Sequence, residues 1–294
     1  MPESKMKYDL IRRGEKKPTK LGALTFIILR LADIPLQAAI LTPTQAGLGT
    51  RFLTWLGLRT IVTSTTSALT PSLLRPIGAL TSIPSAFPAW MGPLAVLTPT
   101  GSLLLLMSAG SATKQIYWLL CLSQESFPVP VAAAVSWFNT TVNSINALLF
   151  LALGTTSLLS RPQVTASLAS ADVTLPWSTI IGALFYVVGM AIEAGSERQR
   201  AVFKSRPENE GKVCKVGMWS WARHINYFGY ALWRGGYCMV ACGWVGGLAM
   251  GTWHGWDLSH RAVGVLDEYC SNRYKQQWVQ FKQEVPYKII PGVY

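Results

Sequence analysis

The sequence predicts an all-α, polytopic membrane protein with about six to seven transmembrane helices, since one span takes about 20 apolar residues. Half of its 294 residues are hydrophobic and only 14% are charged, whereas soluble domains carry about 25% charged residues. The charges are also segregated, because only nine charged residues lie between Leu21 and Ile192. Soluble helices need a charged outer face, so this region indicates helices surrounded by lipid.

The net charge of +12 is better explained by membrane orientation than by nucleic-acid binding. The basic residues gather at both ends of the chain and in one loop between apolar runs, as the positive-inside rule describes. Residues 1–20 therefore form a basic cytosolic N-terminus, and they lack the features of a cleavable signal peptide. We expect membrane lipids as surroundings and no nucleic-acid partner.

Residues 21–192 are predicted to form the transmembrane region, and one further span follows it. The candidate spans are Leu21–Leu41, Trp90–Gly110, Val131–Leu153, Leu175–Ile192 and Tyr227–Met250. Phe52–Leu80 is a weaker candidate, since Arg59, Pro71, Arg75 and Pro76 interrupt it, and Ile116–Leu122 is too short alone. The N-terminus and the basic loop 193–215 both belong in the cytosol, so an even number of spans must separate them.

Polar side chains inside two of these spans mark helix faces that avoid lipid. Arg30 and Asp33 lie three residues apart in the first span. Asn139, Asn143 and Asn146 share one helical face in Val131–Leu153. Both sets are explained either by hydrogen bonding between helices or by a cavity that receives a substrate.

The last hundred residues carry the groups that are suited to chemistry. Arg200 and Lys204 lie four residues apart, and on a helix that continues from the preceding span they share a face. Two cations on one face at the membrane boundary can bind phosphates. Attraction to anionic lipid headgroups explains them equally well.

Four polar or aromatic side chains cluster just before the last long apolar run: Arg223, His224, Asn226 and Tyr227. An arginine binds phosphate or carboxylate, a histidine carries a proton, and an asparagine binds amide or hydroxyl groups. A tyrosine can give a proton to a developing carbanion or oxyanion. Entry into a helix at the membrane interface accounts for the neighbouring tryptophans but less well for these residues.

Near the C-terminus, Asp267, Glu268 and Arg273 can form salt bridges or hold an adenine or ribose. The spacing of Tyr274, Trp278 and Phe281 predicts an amphipathic interfacial helix. The five cysteines form no CxxC pair and no disulfide framework, and the sequence predicts no metal site.

Three stretches resemble a known superfamily. Glu193–Lys204 is similar to a basic segment of membrane sterol reductases and of the steroid 5-alpha-reductase C-terminal family. Arg223–Gly229 resembles the Arg-His-Pro-Asn-Tyr block of that family, and the ending Val285–Tyr294 resembles that of sterol C14- and C24(28)-reductases. Upstream, residues 114–120 and 138–150 resemble fungal members of the DUF1295 group.

The resemblance implies that residues 193–294 form a steroid 5-alpha-reductase-like C-terminal domain with a cytosol-facing cofactor pocket. The cofactor would be NADPH and the substrate a lipid-like small molecule, with the protein in the endoplasmic reticulum. Matched by position, the phosphates would meet Arg200 and Lys204, and the nicotinamide end would be lined by Arg223, Asn226 and Tyr227. Asp267 and Arg273 would belong to the adenine side or its support. Tyr227 or His224 would supply the proton that accompanies hydride transfer.

The sequence departs from the family pattern beside the presumed chemistry. Ile225 replaces the usual proline, and Tyr230 stands where sterol reductases place an acidic residue. Two alternatives therefore remain. One is an S-adenosylmethionine-dependent methyltransferase of the isoprenylcysteine carboxyl methyltransferase type, which has a similar motif. The other is a non-catalytic member of the fold.

Overall fold

The computed structural model describes Lys17 and residues 19–61, 97–153, 155, 163–168 and 171–294. These residues are almost entirely helical, which confirms the predicted helical architecture. The helices are α1 Lys20–Leu41, α2 Leu48–Trp55, α3 Pro99–Tyr117, α4 Val129–Leu151, α5 Trp177–Ser205, α6 Ile225–Asp257, α7 Val263–Tyr274 and α8 Gln276–Glu284. Two π-helical turns, Trp118–Leu122 and Leu258–Ala262, and two 3-10 turns, Pro207–Asn209 and Gly217–Ser220, complete the helical part.

Helix α1 has the polarity of a helix that faces lipid. Its apolar residues point outward, with Leu21 73% and Ile28 55% exposed, while Arg30 and Asp33 are 0% and 1% exposed. A soluble helix shows the opposite arrangement. Burial of the two charged residues agrees with the expectation that this face avoids lipid.

Among the described helices, α1 and α5 are long and apolar enough to cross a membrane. Helix α5 has 29 residues and at 1.5 Å per residue is about 43 Å long, whereas the hydrocarbon core is about 30 Å thick. Its end therefore extends beyond the lipid and carries Arg200 and Lys204, on the continuous helix that the sequence predicted. The weak candidate Phe52–Leu80 falls mostly outside the described residues.

Helix α3 lies further along the chain than the predicted span Trp90–Gly110. It begins at Pro99, where the Thr98 hydroxyl accepts a hydrogen bond from the Gly101 amide at 3.0 Å. Threonine before a helix and proline at its first position are strong start signals, and they mark this boundary better than hydropathy does. The helix then includes Ile116 and Tyr117, part of the stretch that was too short to form a span alone.

Helix α6 is a helical hairpin, so the prediction of one straight span over Tyr227–Met250 was wrong. The backbone leaves the helical conformation at Cys242 and Gly243, and Gly243 has φ of 85°, a value that glycine adopts without steric cost. A Cβ on Gly235 would lie 3.1 Å from the Cα of Gly251, although 16 residues of straight helix span about 24 Å. Arms 225–241 and 244–257 therefore pack side by side, and the chain returns to the side where α6 began.

Helix α5 packs closely on the first arm of α6 through glycines. A Cβ on Gly236 would lie 2.5 Å from the Gly182 carbonyl oxygen, and one on Gly189 would lie 2.6 Å from that of Gly229. Small residues at this spacing let membrane helices approach backbone to backbone. The contact brings the outer turns of α5 beside the start of α6.

The described strands form one antiparallel hairpin, β1 Gln163–Leu168 and β2 Ala171–Pro176. The sequence prediction did not include it. Valine and threonine are frequent in both strands and favour extended backbone. Because β2 ends at Pro176, α5 begins at Trp177, two residues after the predicted start of the span at Leu175.

The hairpin in α6 makes Gly247 sensitive to added volume. A Cβ there would lie 2.4 Å from the Met239 Cβ, so Gly247→Ala should lower the free energy of unfolding by about 1–3 kcal/mol. The control is Gly264→Ala, where a Cβ meets nothing within 4 Å. Thermal unfolding in detergent would measure both. A Gly247→Ala variant as stable as Gly264→Ala would contradict the hairpin.

Candidate functional site

The outer end of α5 joins two predicted site residues through a carboxylate. Arg200 Nη2 donates to Glu197 Oε2 at 2.6 Å, and Asn226 Nδ2 donates to Glu197 Oε1 at 2.8 Å. The Arg200 guanidinium also lies over the Trp219 ring at 5.1 Å. Glu197, which is 7% exposed, therefore connects α5 to the start of α6. Sequence reasoning missed it, although its position three residues before Arg200 on one helix was a usable signal.

Lys204 and Arg273 flank one tyrosine on α7. Lys204 Nζ donates to the Tyr274 hydroxyl at 3.0 Å and to the Lys212 carbonyl oxygen. The Arg273 guanidinium lies 5.6 Å from the Tyr274 ring centroid and donates to the Tyr269 hydroxyl at 2.7 Å. Two cations that lie 69 residues apart in sequence thus meet at one aromatic side chain.

The thiol of Cys270 lies among four predicted site residues. Burial raises its pKa to about 11; the positive charges of Arg200, Lys204 and Arg273 act to lower it, and Asp267 acts to raise it. Glu197 pairs with Arg200, whereas Lys204 and Arg273 donate to hydroxyl and carbonyl oxygens, so the two latter cations leave positive charge at this end of α5. Such an excess favours an anionic ligand.

Arg223 fastens the C-terminal segment to the start of α6. Its Nη1 donates to the carbonyl oxygens of Val285 and Pro286 at 2.6 and 3.0 Å. The backbone amide of Arg223 donates to the Tyr287 carbonyl oxygen at 3.0 Å, and that of His224 to the Lys288 carbonyl oxygen at 2.8 Å. The guanidinium of Arg223, which was predicted to line the nicotinamide end, therefore donates from Nη1 to the chain's own backbone.

His224 and Tyr227 stack, with ring centroids 5.5 Å apart and planes 12° apart. His224 is 4% exposed, and burial, assisted by the charge of Arg223, lowers its pKa to about 3. The imidazole is therefore neutral at physiological pH and lacks the second, acidic proton of an imidazolium. The Tyr227 side chain is half-buried, so it remains accessible at the edge of the site.

Asp267 connects α7 to α8 beside the site. It accepts hydrogen bonds from Trp278 Nε1 at 2.7 Å and Lys282 Nζ at 3.3 Å. The Trp278 ring packs against His224 with centroids 6.4 Å apart. These contacts tie α7 to α8 and hold the imidazole in place. Trp278 and Phe281 bury one face of α8, but Tyr274 ends α7, so the predicted single helix through all three residues is interrupted at Lys275, which has φ of 48°.

A cavity of about 580 Å³ lies between α5, both arms of α6 and the C-terminal segment. The residues that line the cavity are mainly apolar, and they include Phe228, which follows Tyr227 in the sequence. Ser259, His260 and Tyr294 add polar atoms, and the Tyr294 hydroxyl bonds to Ser259 at 2.8 Å. The volume and lining suit an apolar small molecule. The sequence did not reveal this cavity, because the fold-back of α6 creates it.

Comparison with known proteins relates the chain to one family and to two kinds of enzyme. The model of the family described as "Protein of unknown function (DUF1295)" matches residues 133–281, just over half of the chain. The "Probable O-methyltransferase ustE" of Ustilaginoidea virens is 28% identical over 269 residues, which cover 90% of this chain and 84% of that protein.

The sterol reductases match a shorter part. "Delta(14)-sterol reductase ERG24" of Saccharomyces cerevisiae is 29% identical over 148 residues, or 43% of this chain and 31% of the reductase. The "Delta(14)-sterol reductase" of Ascobolus immersus is 31% identical over 152 residues, with 43% and 33% covered. The chain thus spans about a third of the length of these reductases.

The buried state of His224 should make stability depend on pH. Below its ordinary pKa of 6.5 the unfolded chain binds a proton that the folded protein excludes down to about pH 3. Stability should therefore fall as pH drops through this window, by up to about 1.4 kcal/mol per pH unit from this residue. His224→Gln should flatten the pH dependence of unfolding in detergent, whereas His260→Gln, at an exposed position, should not. Identical slopes for all three proteins would refute the prediction.

Proposed function

The chain belongs to the DUF1295 family, and on this premise we propose that it is a membrane enzyme that uses NADPH to reduce a carbon–carbon double bond in a lipid-like substrate such as a sterol or terpenoid. The partial similarity to delta(14)-sterol reductases supports this reaction class. The observation that carries the proposal is the set of three cations, Arg200, Lys204 and Arg273, around Cys270.

These residues fit a cofactor that bears phosphates. Arg200 and Lys204 lie one helical turn apart on α5, and Arg273 approaches Lys204 through the shared contact with Tyr274. Guanidinium and ammonium groups form strong, charge-assisted hydrogen bonds with phosphate oxygens. Asp267 holds Trp278 behind the site and would support the adenine side.

When bound, NADPH would supply a hydride to one carbon of the double bond, and the other carbon would require a proton. We assign the proton to the Tyr227 hydroxyl. The low pKa of His224 favours a positioning role for its neutral ring, which stacks on Tyr227. Asn226, anchored by Glu197, would orient the nicotinamide end. The apolar cavity beside Phe228 would hold the substrate and exclude water.

We place the protein in the endoplasmic reticulum membrane with a cytosolic N-terminus and about six or seven spans, because one span takes about 20 apolar residues. The return of the C-terminal segment to the start of α6 supports a site on one side of the membrane. The basic outer end of α5 supports the cytosolic side.

Methyl transfer from S-adenosylmethionine is the second candidate. The probable O-methyltransferase aligns with 90% of the chain, whereas each sterol reductase aligns with about two fifths. S-adenosylmethionine would supply a methyl group, and it carries positive charge. The buried carboxylate at this end, Glu197, already accepts hydrogen bonds from Arg200 and Asn226, so the support for this candidate is the alignment alone.

Binding of cofactors can be compared by thermal unfolding of the full chain in detergent. NADPH should raise the melting temperature by mass action, more than NADH or S-adenosylmethionine. Arg273→Ala should weaken NADPH binding at least about tenfold, because a charge-assisted phosphate contact is lost. Arg273 is preferable to Arg223, which holds the C-terminal segment. Lys20→Ala, at the exposed start of α1, is the control. A response to S-adenosylmethionine alone would replace the reductase by the methyltransferase, and no response would favour a non-catalytic protein.

Tyr227→Phe tests the proton donor. If the phenol gives a proton to the substrate, the variant should bind NADPH normally and lose activity by about 10²- to 10⁴-fold. The measurement is NADPH oxidation with an enone-bearing sterol, together with the binding constant from thermal unfolding. His224→Gln serves for comparison, since a positioning residue should reduce the rate less. Full activity of Tyr227→Phe would exclude this role.

A further inference from the structure

A polar cluster lies at mid-depth in the helix bundle, separate from the cytosolic site, and Asp33 is its centre. The carboxylate of Asp33 accepts hydrogen bonds from Arg30 at 3.1 Å, Gln37 at 2.9 Å, Ser108 at 3.3 Å and Asn143 at 2.8 Å. A carboxylate offers about four lone-pair sites. The hydrogen-bonding capacity of Asp33 is therefore used by these four donors.

Arg234, on the first arm of α6, has only neutral partners among the described residues. It is 1% exposed. Its guanidinium donates to Asn139 Oδ1 and, at 3.2 Å, to the Tyr230 hydroxyl. Aromatic faces surround it, with the Trp233 ring centroid at 4.3 Å and that of Phe138 at 5.8 Å. This cation is desolvated without an adjacent carboxylate.

The cluster has a net positive charge. Arg30 and Arg234 interact electrostatically with one another, and Asp33 supplies one negative charge for the two of them. The next carboxylate, Glu193, forms its own ion pair with Lys114 at 2.5 Å. A single excess charge in a buried site is costly unless a counter-charge is bound.

The described helices between residues 20 and 192 do not offer that counter-charge. Between residues 20 and 192 the only other acidic residues are Glu125 and Asp172, and both lie outside the helices. Residues 62–96 contain no acidic residue. The anion that balances the two arginines must therefore come from outside this part of the chain.

Several buried donors in the cluster have no partner among the described residues. They are Nε and Nη2 of Arg30, Nη1 of Arg234 and the amide nitrogen of Asn146. Buried polar atoms normally bond to protein, water or ligand. Guanidinium groups bind planar carboxylates particularly well, through two parallel hydrogen bonds.

Depth and polarity restrict the kind of anion. Arg30 lies halfway along the 22 residues of α1, about 15 Å from either end, so a lipid headgroup at the membrane surface is too distant. Arg234 and Tyr230 lie about 100° around α6 from Ala231 and Gly235, and only the latter pair lines the 580 Å³ cavity. The cluster is thus separate from the cavity and lies among aromatic rings. One bound negative charge would neutralise its net positive charge.

We propose that Arg30 and Arg234 bind the ionised carboxylate of an otherwise apolar small molecule, such as a fatty or terpenoid acid, between α1, α4 and α6. The inference goes beyond the proposed reaction, because such an acid could be a substrate for NADPH-dependent reduction or for methyl transfer. It assigns a charge to the ligand, which distinguishes it from a neutral sterol.

The experiment uses two pairs of probes, dodecanoic acid with its methyl ester and abietic acid with its methyl ester. Thermal unfolding of the full chain in non-ionic detergent is measured at increasing probe concentration. At least one acid should raise the melting temperature of the wild type, and its ester should not. Absence of a selective shift with both acids, or equal shifts with acid and ester, would overturn the proposal.

Arg234→Gln should weaken the binding of that acid at least tenfold, and Arg234→Lys, which keeps the charge without the planar fork, should weaken it less. Lys20→Gln should bind like the wild type. Unaltered binding by Arg234→Gln would overturn the proposal. If Arg234→Gln does not fold, Arg234→Lys decides, since unaltered binding there would also overturn it. Stabilisation by NADPH or S-adenosylmethionine is measured on the same variants, so a failure of the proposed function is seen separately.

Discussion

The close packing of α5 against the first arm of α6 is the contact on which the other features depend. Glycines on both helices bring the backbones together, which longer side chains would prevent. This approach puts Glu197 within hydrogen-bonding distance of Asn226 and Glu193 within 2.6 Å of Trp233 Nε1. The candidate site at the outer end of α5 and the polar interior of the helix bundle thus share one closely packed pair of helices.

The reversal of α6 at Gly243 has two consequences for function. It builds the apolar cavity between the two arms, and it returns the chain to the end of the bundle where α6 begins. Arg223 then holds the returning segment through backbone carbonyl oxygens. An arginine from the family-like motif therefore acts here on the fold, and for this reason we assign the proposed cofactor contacts to Arg200, Lys204 and Arg273.

Charge separates the two regions of the molecule. The site at the outer end of α5 has three cations, Arg200, Lys204 and Arg273, with the carboxylates of Glu197 and Asp267 beside them. The membrane region has two arginines and Asp33 in a buried cluster. A molecule that balances their charge must otherwise be apolar in order to enter this cluster. Tyr230 leaves the positive charge of the buried cluster in place, because its neutral hydroxyl accepts a hydrogen bond from Arg234. In the family pattern that the sequence resembles, an acidic residue stands at this position.

The sequence by itself determined the membrane character, the helical class and the shared face of Arg200 and Lys204, because these follow from composition and from the helical repeat within one segment. It also identified Arg30, Asp33 and the asparagines as lipid-avoiding. Only the tertiary structure decided that α6 folds back, that Glu197 bonds to Asn226 and that Arg234 joins the polar cluster. An apolar run has the same hydropathy whether the helix is straight or folds back on itself. Contacts between residues distant in sequence depend on how the helices pack.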